Sequence, residues 1–338
     1  MQAPFARSSS LAETRWNRLK REVIGIPSLA PHDPLVSVVI PTHDRAHLIE
    51  RALASVLGQT HRNLEVIVVD DGSIDDTPAV LAGVDDKRVR VIRLPINQGQ
   101  SKARNVGIDA ATGPFVAFCD SDDEWLPTKV RVQLRAFGAQ DPPSLVYSGM
   151  WIDDGSTRRS HAEDLEGRAF DQALGLIGLI TTSGMMIDRT LAAGELYFDE
   201  SLPCAVDRDL LIRLSQHHPV GRVPEPLFVH YMHHGPQISA QLCYPGAWKA
   251  IMKKYADEFE VRPRTAAAVH FRIALILHRA RNHRGAHKAL QEAARLDPGN
   301  RRYRTLGACA ALGGAGSRFG LDAYVAAARV RHTVGRAG

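Results

Sequence analysis

The sequence predicts an α/β protein built on a doubly wound, mostly parallel sheet, with a mixed second half and a C-terminal α-helical extension. Three observations carry this reading. Short runs of Val, Ile and Leu without polar alternation, VSVVI at 36–40 and LEVIVV at 64–69, are separated by a stretch with helical spacing, and strands buried on both faces have this composition. Each of these runs, and Phe115 to Phe118 after them, leads straight into side chains able to bind a ligand, as expected where ligands sit outside the carboxyl ends of parallel strands. From about Tyr255 the chain becomes helical and rich in arginine.

Taken in order, residues 1–34 form a polar leader with a helical candidate at Leu11 to Ile24 and a loop punctuated by Pro27, Pro31 and Pro34. The first strand stops at Pro41. Leu48, Ile49, Ala52, Leu53, Val56 and Leu57 then recur at helical spacing and give a helix with one apolar stripe. The second strand ends in Asp70-Asp71-Gly72-Ser73, where Ser73 or Asp75 can cap a short helix starting near Asp76. A third strand is expected at Val89 to Leu94, a helix at Ser101 to Ala110 and a fourth strand at Phe115 to Phe118. Beyond Asp123 the pattern loosens: a helix around Lys129 to Phe137, a strand at Leu145 to Trp151, an apolar segment at Ile180 to Ile187, a helix at Asp207 to Gln216 and a strand at Leu227 to Met232. Phe271 to Arg281 and Gly285 to Leu296 read as a helical hairpin closed by Asp297-Pro298-Gly299-Asn300. The hairpin resembles one tetratricopeptide unit, and a single copy must pack on the rest of the chain because it does not bury its own face.

Composition narrows the function classes. At 44% hydrophobic and 23% charged, the chain of 338 residues is neither disordered nor a disulfide scaffold. Its net charge of +5 divides unevenly: 15 basic and 3 acidic residues from Arg262 onward give +12, and the first 261 residues carry −7. An acidic body is unlike a nucleic-acid binder. Cys119, Cys204, Cys243 and Cys309 lack CxxC spacing, so reduced packing thiols in a cytoplasmic protein are expected. The most apolar stretch, Ala173 to Ile187, is too short to span a bilayer, and the N-terminus shows no apolar core of a signal peptide.

The strongest chemical signal is Asp120-Ser121-Asp122-Asp123 at the end of a buried strand. Adjacent carboxylates repel unless a cation sits among them, and hard oxygen donors suit Mg²⁺ or Mn²⁺. With this cluster in view, three segments resemble the family-2 inverting glycosyltransferases of GT-A fold: VSVVIPTHDRAHLIERALASVLGQTHRNLEVIVVDDGSIDDT, NQGQSKARNVGIDAATGPFVAFCDSDDEW and FDESLPCAVDRDLLIRL. The resemblance covers roughly Val36 to Ser239. It implies a glycosyltransferase domain over 35–240, with a nucleotide half at 35–123 and an acceptor half at 124–240, between the extension at 1–34 and the helical region at 241–338.

The resemblance also implies roles. A sugar would pass from a nucleotide-diphosphate donor to a saccharide or lipid-linked acceptor hydroxyl. Asp123 would ligate the divalent cation directly, Asp122 would contact the donor ribose or share the metal, and His234 would lie close to the diphosphate or metal. Asp71 would hydrogen-bond the nucleotide base, with Pro41, His43 and Arg45 lining the same site, and Lys102 or Arg104 would meet the diphosphate. Asp207 stands at the position of the family's general base, where a helix N-terminus keeps a carboxylate ionised. His230 is read as a packed or hydrogen-bonded residue. Val206, Arg208, Leu211, Asp44, Met232 and His233 depart from residues common in the family, which leaves a weakened nucleotide-sugar-binding or scaffold protein as the alternative reading. No QxxRW motif follows the base, so a single transfer per encounter is expected.

Other readings fail on the first loop. Pro41-Thr42-His43-Asp44 is neither the Gly-rich, basic loop of a nucleotidylyltransferase nor a GxGxxG dinucleotide turn. The basic last quarter suggests peripheral contact with an anionic membrane at its cytoplasmic face.

Overall fold

The computed structural model describes residues 33–175, 180–232 and 243–311, together with 321, 322 and 324. The leader helix at Leu11 to Ile24, His233, His234 and the end of the basic tail lie outside the described residues. The chain divides into two compact units. The first holds residues 33–167, 180–197 and 217–232, and the second holds 168–175, 198–216 and the chain from 243 onward.

The first unit is a nine-stranded mixed sheet with helices. β1 (Val36–Thr42), β2 (Leu64–Asp70), β3 (Val89–Arg93) and β4 (Phe115–Phe118) run in the order β3-β2-β1-β4 and pair in parallel. β1 is buried along its whole length and β2 nearly so, which is why their sequences are continuous apolar runs and do not alternate. Pro41 is tolerated inside a central strand because pairing with β4 ends at Val39. α1 (Ile49–Leu57) buries Ile49, Ala52, Leu53 and Val56, the predicted stripe. α2 (Thr77–Ala82) follows β2, with Asp75 accepting from the Thr77 amide at 2.9 Å. α3 (Gln100–Ala110) lies so close to β1 that a Cβ on Gly107 would collide with Val39.

The other half of the sheet is β8-β6-β9-β5, with β7 (Arg158–His161) on β6. β5 is Glu124–Trp125, β6 Leu145–Asp153, β8 Met185–Asp188 and β9 Val220–Tyr231. The apolar segment at Ile180 to Ile187 is a strand only at its end, since Thr182–Gly184 forms a 3-10 turn. β9 starts seven residues before the expected Leu227 and runs through Pro224 and Pro226. Irregular register opposite Gly149 accommodates both prolines, and a Cβ at Gly149 would sit 2.5 Å from the Pro224 carbonyl oxygen. α4 (Lys129–Ala136) buries Lys129 completely, with its Nζ 4.0 Å from the Trp125 ring centre and bonded to Gln133. Burial pushes that ammonium down to about 7. Gln133 in turn donates to the carbonyls of Val146 and Gly184, tying α4 to the second half of the sheet.

The second unit is helical: α5 (Phe170–Gly175), α6 (Val206–His217), α7 (Tyr244–Lys254), α8 (Ala256–Glu260), α9 (Pro263–Arg279), α10 (His283–Leu296) and α11 (Arg301–Ala311). α9 and α10 form the expected hairpin. Arg281 takes a left-handed conformation at φ 60°, and Asn282 caps α10 by accepting from the Gly285 amide at 2.9 Å. α9 packs on α5, α7, α8 and α10, so the single repeat-like unit is covered by neighbouring helices.

One expectation is overturned here. Cys204 and Cys243 form a disulfide, with Cα atoms 6.2 Å apart, and only Cys119 and Cys309 are free. The bridge joins the loop before α6 to the start of α7, a pairing that 39 residues of separation conceal in sequence.

Candidate functional site

The site is built where β1, β2 and β4 end together. Register places Thr42 beside Asp70 and Val39 beside Phe118, so the residues after each strand emerge along one edge of the sheet. Asp44 follows β1 with φ 49°, a left-handed conformation that Asp and Asn tolerate best among residues with side chains. Its amide donates to Ser73 Oγ at 2.9 Å and its carboxylate accepts from the Ile74 amide at 2.8 Å. Asp44 thereby ties the loop after β1 to the loop after β2, the task an Asn would perform there. Ser73, read from sequence as a cap for α2, serves this crossing instead. The Arg45 amide donates to Thr77 Oγ1 at 2.9 Å, and the Nδ1 of the half-exposed His43 is buried without a hydrogen-bond partner.

Asp71 is 3% exposed. Its two carboxylate oxygens accept from the backbone amides of Gln98 and Gly99, each at 2.8 Å. A carboxylate thus caps the N-terminus of α3 from a distant loop. Gly72 is required beneath it, because its φ is 69° and a Cβ would lie 2.5 Å from the Ile96 carbonyl carbon. Lys102 sits half-buried on the first turn of α3. Arg104 turns into the protein, 3% exposed, and its guanidinium donates to Asp120 Oδ1 at 2.6 Å, Thr182 Oγ1 at 3.1 Å and Gln100 Oε1 at 2.9 Å. The Arg104 guanidinium thus fixes Asp120.

The acidic cluster has an outer and an inner part. Asp120 is held by Arg104 and Thr182, and its amide donates to Ser183 Oγ at 2.9 Å. Asp122 keeps partial solvent access, and its carbonyl accepts from Arg51 of α1 at 2.6 Å. The Arg51 guanidinium also stacks 3.9 Å over the Tyr231 ring, whose hydroxyl donates to Glu124 at 2.7 Å. Asp123 is fully buried, with Oδ1 2.9 Å from His230 Nδ1 and Oδ2 buried without a hydrogen bond.

Burial and then the neighbouring Asp120 charge raise the Asp122 carboxyl. Burial also raises Asp123, to about 6, against the pull of His230. Burial opposes charge on His230 as well, but the adjoining Asp123 outweighs it and pushes the imidazole up to about 9. Of the Asp123 carboxylate, Oδ1 faces His230 and Oδ2 is the oxygen left for the metal contact expected of it. Asp122 is the member of the cluster with an open carboxylate beside a second one, Asp120.

Among the described residues no three His, Cys, Asp or Glu side chains form a metal-binding group, and His234 lies outside those residues. A hard divalent cation is nonetheless compatible with the site, because Mg²⁺-type sites commonly use one or two carboxylates and complete their shell with substrate phosphates and water. The raised carboxyl of Asp122, crowded by Asp120, is the feature a cation would relieve.

Asp207 belongs to the helical unit, in the first turn of α6. It is half-buried, its Oδ1 accepts from the Arg208 amide at 2.8 Å, and its charge adds to burial in raising the Tyr244 hydroxyl to about 12. The helix is anchored two residues later. Asp209, fully buried, accepts from Tyr255 Oη at 3.0 Å and Arg213 Nε at 2.9 Å, and lies 2.8 Å from Lys254 Nζ.

Sequence reading missed Arg51, Thr182 and Ser183. Each has an ordinary polar identity on a helix or turn, and only the folded sheet brings it to the cluster. Among the described residues no helix is long and apolar enough to cross a membrane.

Residues 37–193 match the family model for Glycosyl transferase family 2. The chain is 44% identical over 110 residues to the succinoglycan biosynthesis protein ExoO of Rhizobium meliloti, covering 32% of each protein. It is 37% identical over 102 residues to UDP-Glc:alpha-D-GlcNAc-diphosphoundecaprenol beta-1,3-glucosyltransferase WfgD of Escherichia coli, covering 30% of this chain and 40% of that one. The chain spans between 18% and 63% of the length of the curated relatives it matches. Among solved structures, S. aureus TarS 1–349 in complex with UDP-GlcNAc superimposes with a TM-score of 0.65 at 20% identity, over 86% of this chain and 92% of that one. The sheet is therefore of the GT-A type with a helical extension, and residues 37–193 are similar to glycosyl transferase family 2, whose model they match.

Proposed function

We propose that the protein is a metal-dependent inverting glycosyltransferase. It moves a sugar from a nucleotide-diphosphate donor to an acceptor hydroxyl, one transfer per encounter, in the synthesis of a surface glycan or a lipid-linked saccharide. The observation that carries this reading is the pair of crowded carboxylates, Asp120 and Asp122, at the C-terminal edge of a parallel sheet. The relatives' names support the same reaction class and a lipid-linked or polymeric acceptor.

In this reading Pro41, His43 and Arg45 contact the nucleotide, with the unpartnered Nδ1 of His43 offering a hydrogen bond. Asp71 shapes the site by fixing the loop at 98–99, and Lys102 faces the diphosphate from the start of α3. Asp122 holds the cation with Asp120, while Arg51 and the Asp123–His230 pair set the position of the cluster. Held by these carboxylates, Mn²⁺ or Mg²⁺ would supply the positive charge that offsets what develops on the departing nucleoside diphosphate. Asp207 accepts the acceptor proton as the new glycosidic bond forms.

The test is a thermal-shift screen of UDP-, GDP- and dTDP-sugars with and without Mn²⁺, followed by a transfer assay that reads product anomeric configuration by NMR. Metal-dependent stabilisation by one donor class and an inverted product are expected. Donor binding without turnover toward any saccharide or lipid-linked acceptor would overturn the enzyme reading and favour a nucleotide-sugar-binding scaffold.

A further inference from the structure

We infer that the outward faces of α9, α10 and α11 form a docking surface for an anionic lipid bilayer. The meaning of this surface rests on the lipid-linked acceptor proposed above, but its evidence is separate. On α9, Arg264, Arg272 and Arg279 are exposed. At 100° per residue they fall within an arc of about 80°. On α10, Arg284, Lys288 and Arg295 are exposed and fall within about 40° by the same rotation. The apolar residues of α10, Ala286, Ala289, Leu290 and Ala293, occupy its opposite, buried face. Arg281 stands exposed in the turn between the two helices, and Arg301 and Arg304 are exposed on α11.

Acidic residues do not balance these cations. Residues 262–311 contain only Glu292 and Asp297, and Glu292 pairs with Arg295 at 2.6 Å. Arg264, Arg279, Arg284 and Lys288 have no carboxylate partner among the described residues. With Glu292 taken by Arg295, these four cations have no opposite charge to pair with in their own unit among the described residues, and in water each added arginine raises the repulsion among the others. An extended anionic surface removes that repulsion at several positions together, and a lipid-anchored acceptor would bring the protein to such a surface. The acidic remainder of the chain, −7 over its first 261 residues, argues against a general affinity for polyanions.

The experiment is co-sedimentation of the full chain with phosphatidylcholine vesicles, with and without phosphatidylglycerol, at low and high NaCl. Partition is expected to be at least about tenfold stronger onto phosphatidylglycerol and to fall with salt, since each cation near an anionic surface contributes roughly fivefold. The triple variant Arg279→Glu, Arg284→Glu, Lys288→Glu should lose this preference and keep the wild-type response to nucleotide sugars. Arg279→Lys with Arg284→Lys should retain the preference. If the Glu triple fails to fold by circular dichroism, the Gln triple takes its place. Equal partition onto both vesicles, an unaltered preference in the triple variant, or tighter binding to a short DNA duplex than to phosphatidylglycerol would overturn the inference. Vesicle binding without any transfer activity would instead count against the catalytic reading alone.

Discussion

Replacing Arg104 by Met tests whether the acidic cluster is held in place from α3. The guanidinium is 4% exposed and Asp120 25% exposed, with 2.6 Å between them. Removing one partner of a fully buried pair costs about 3–5 kcal/mol, because the other charge is left without compensation. Asp120 retains the Thr182 hydroxyl and some water, which lowers the expected loss to about 2–3 kcal/mol. For a unit of this size that is roughly 4–12 °C in melting temperature. Urea titration of wild type, Arg104→Met, Asp120→Asn and the double variant should give a coupling energy of about 2 kcal/mol. Arg104→Lys should recover less than half of the loss, because an ammonium does not reach Asp120, Thr182 and Gln100 from one planar fork. A loss below about 0.5 kcal/mol for Arg104→Met, or additive single variants, would refute the claim that this pair organises the site.

Three further outcomes follow from the same geometry. Asp207→Asn should slow transfer about 10²- to 10⁴-fold with donor affinity unchanged in calorimetry, and equal turnover would remove Asp207 as the base. Reducing the Cys204–Cys243 bridge, or replacing both residues by Ser, should lower stability by about 2–4 kcal/mol, the range for a loop of this length, and a melt insensitive to dithiothreitol would contradict it. Asp199 is half-buried, which alone would raise its carboxyl, but bonds from Lys254 and Ser201 bring it down to about 2 from 3.8. A depressed carboxylate contributes stability above its unfolded pKa and loses it as pH falls through the folded value. Asp199→Asn should therefore cost about 1 kcal/mol at pH 6, and the gap should close between about pH 4 and 2. A difference between the two proteins that is constant with pH would argue against the ion pair.

The parallel half of the sheet was legible because burial on both faces demands what VSVVI and LEVIVV display. Its C-terminal edge was legible because polar or acidic side chains able to bind a ligand follow within a few residues of each run. β9 was read too short, since Pro224 and Pro226 resemble strand breakers until Gly149 is seen making room for them. The division of labour inside the cluster was not legible either. Asp122 and Asp123 are adjacent in sequence and opposite in environment, one reaching solvent and one paired with His230 across 107 residues. Arg104 reads as a phosphate ligand by type and position, and its pairing with Asp120 in the loop after β4 is not visible in the sequence. The disulfide escaped for the same reason, as contact between distant segments leaves no local periodicity.

The central claim is that Asp122 holds a divalent cation which in turn holds the donor diphosphate. Isothermal titration calorimetry of the preferred nucleoside diphosphate, with Mn²⁺ or with EDTA, tests it in wild type and in Asp122→Asn. Mn²⁺ should tighten wild-type binding by at least about tenfold, or 1.4 kcal/mol, and leave Asp122→Asn nearly unaffected. A metal effect of the same size in both proteins, or none in wild type, would contradict the claim.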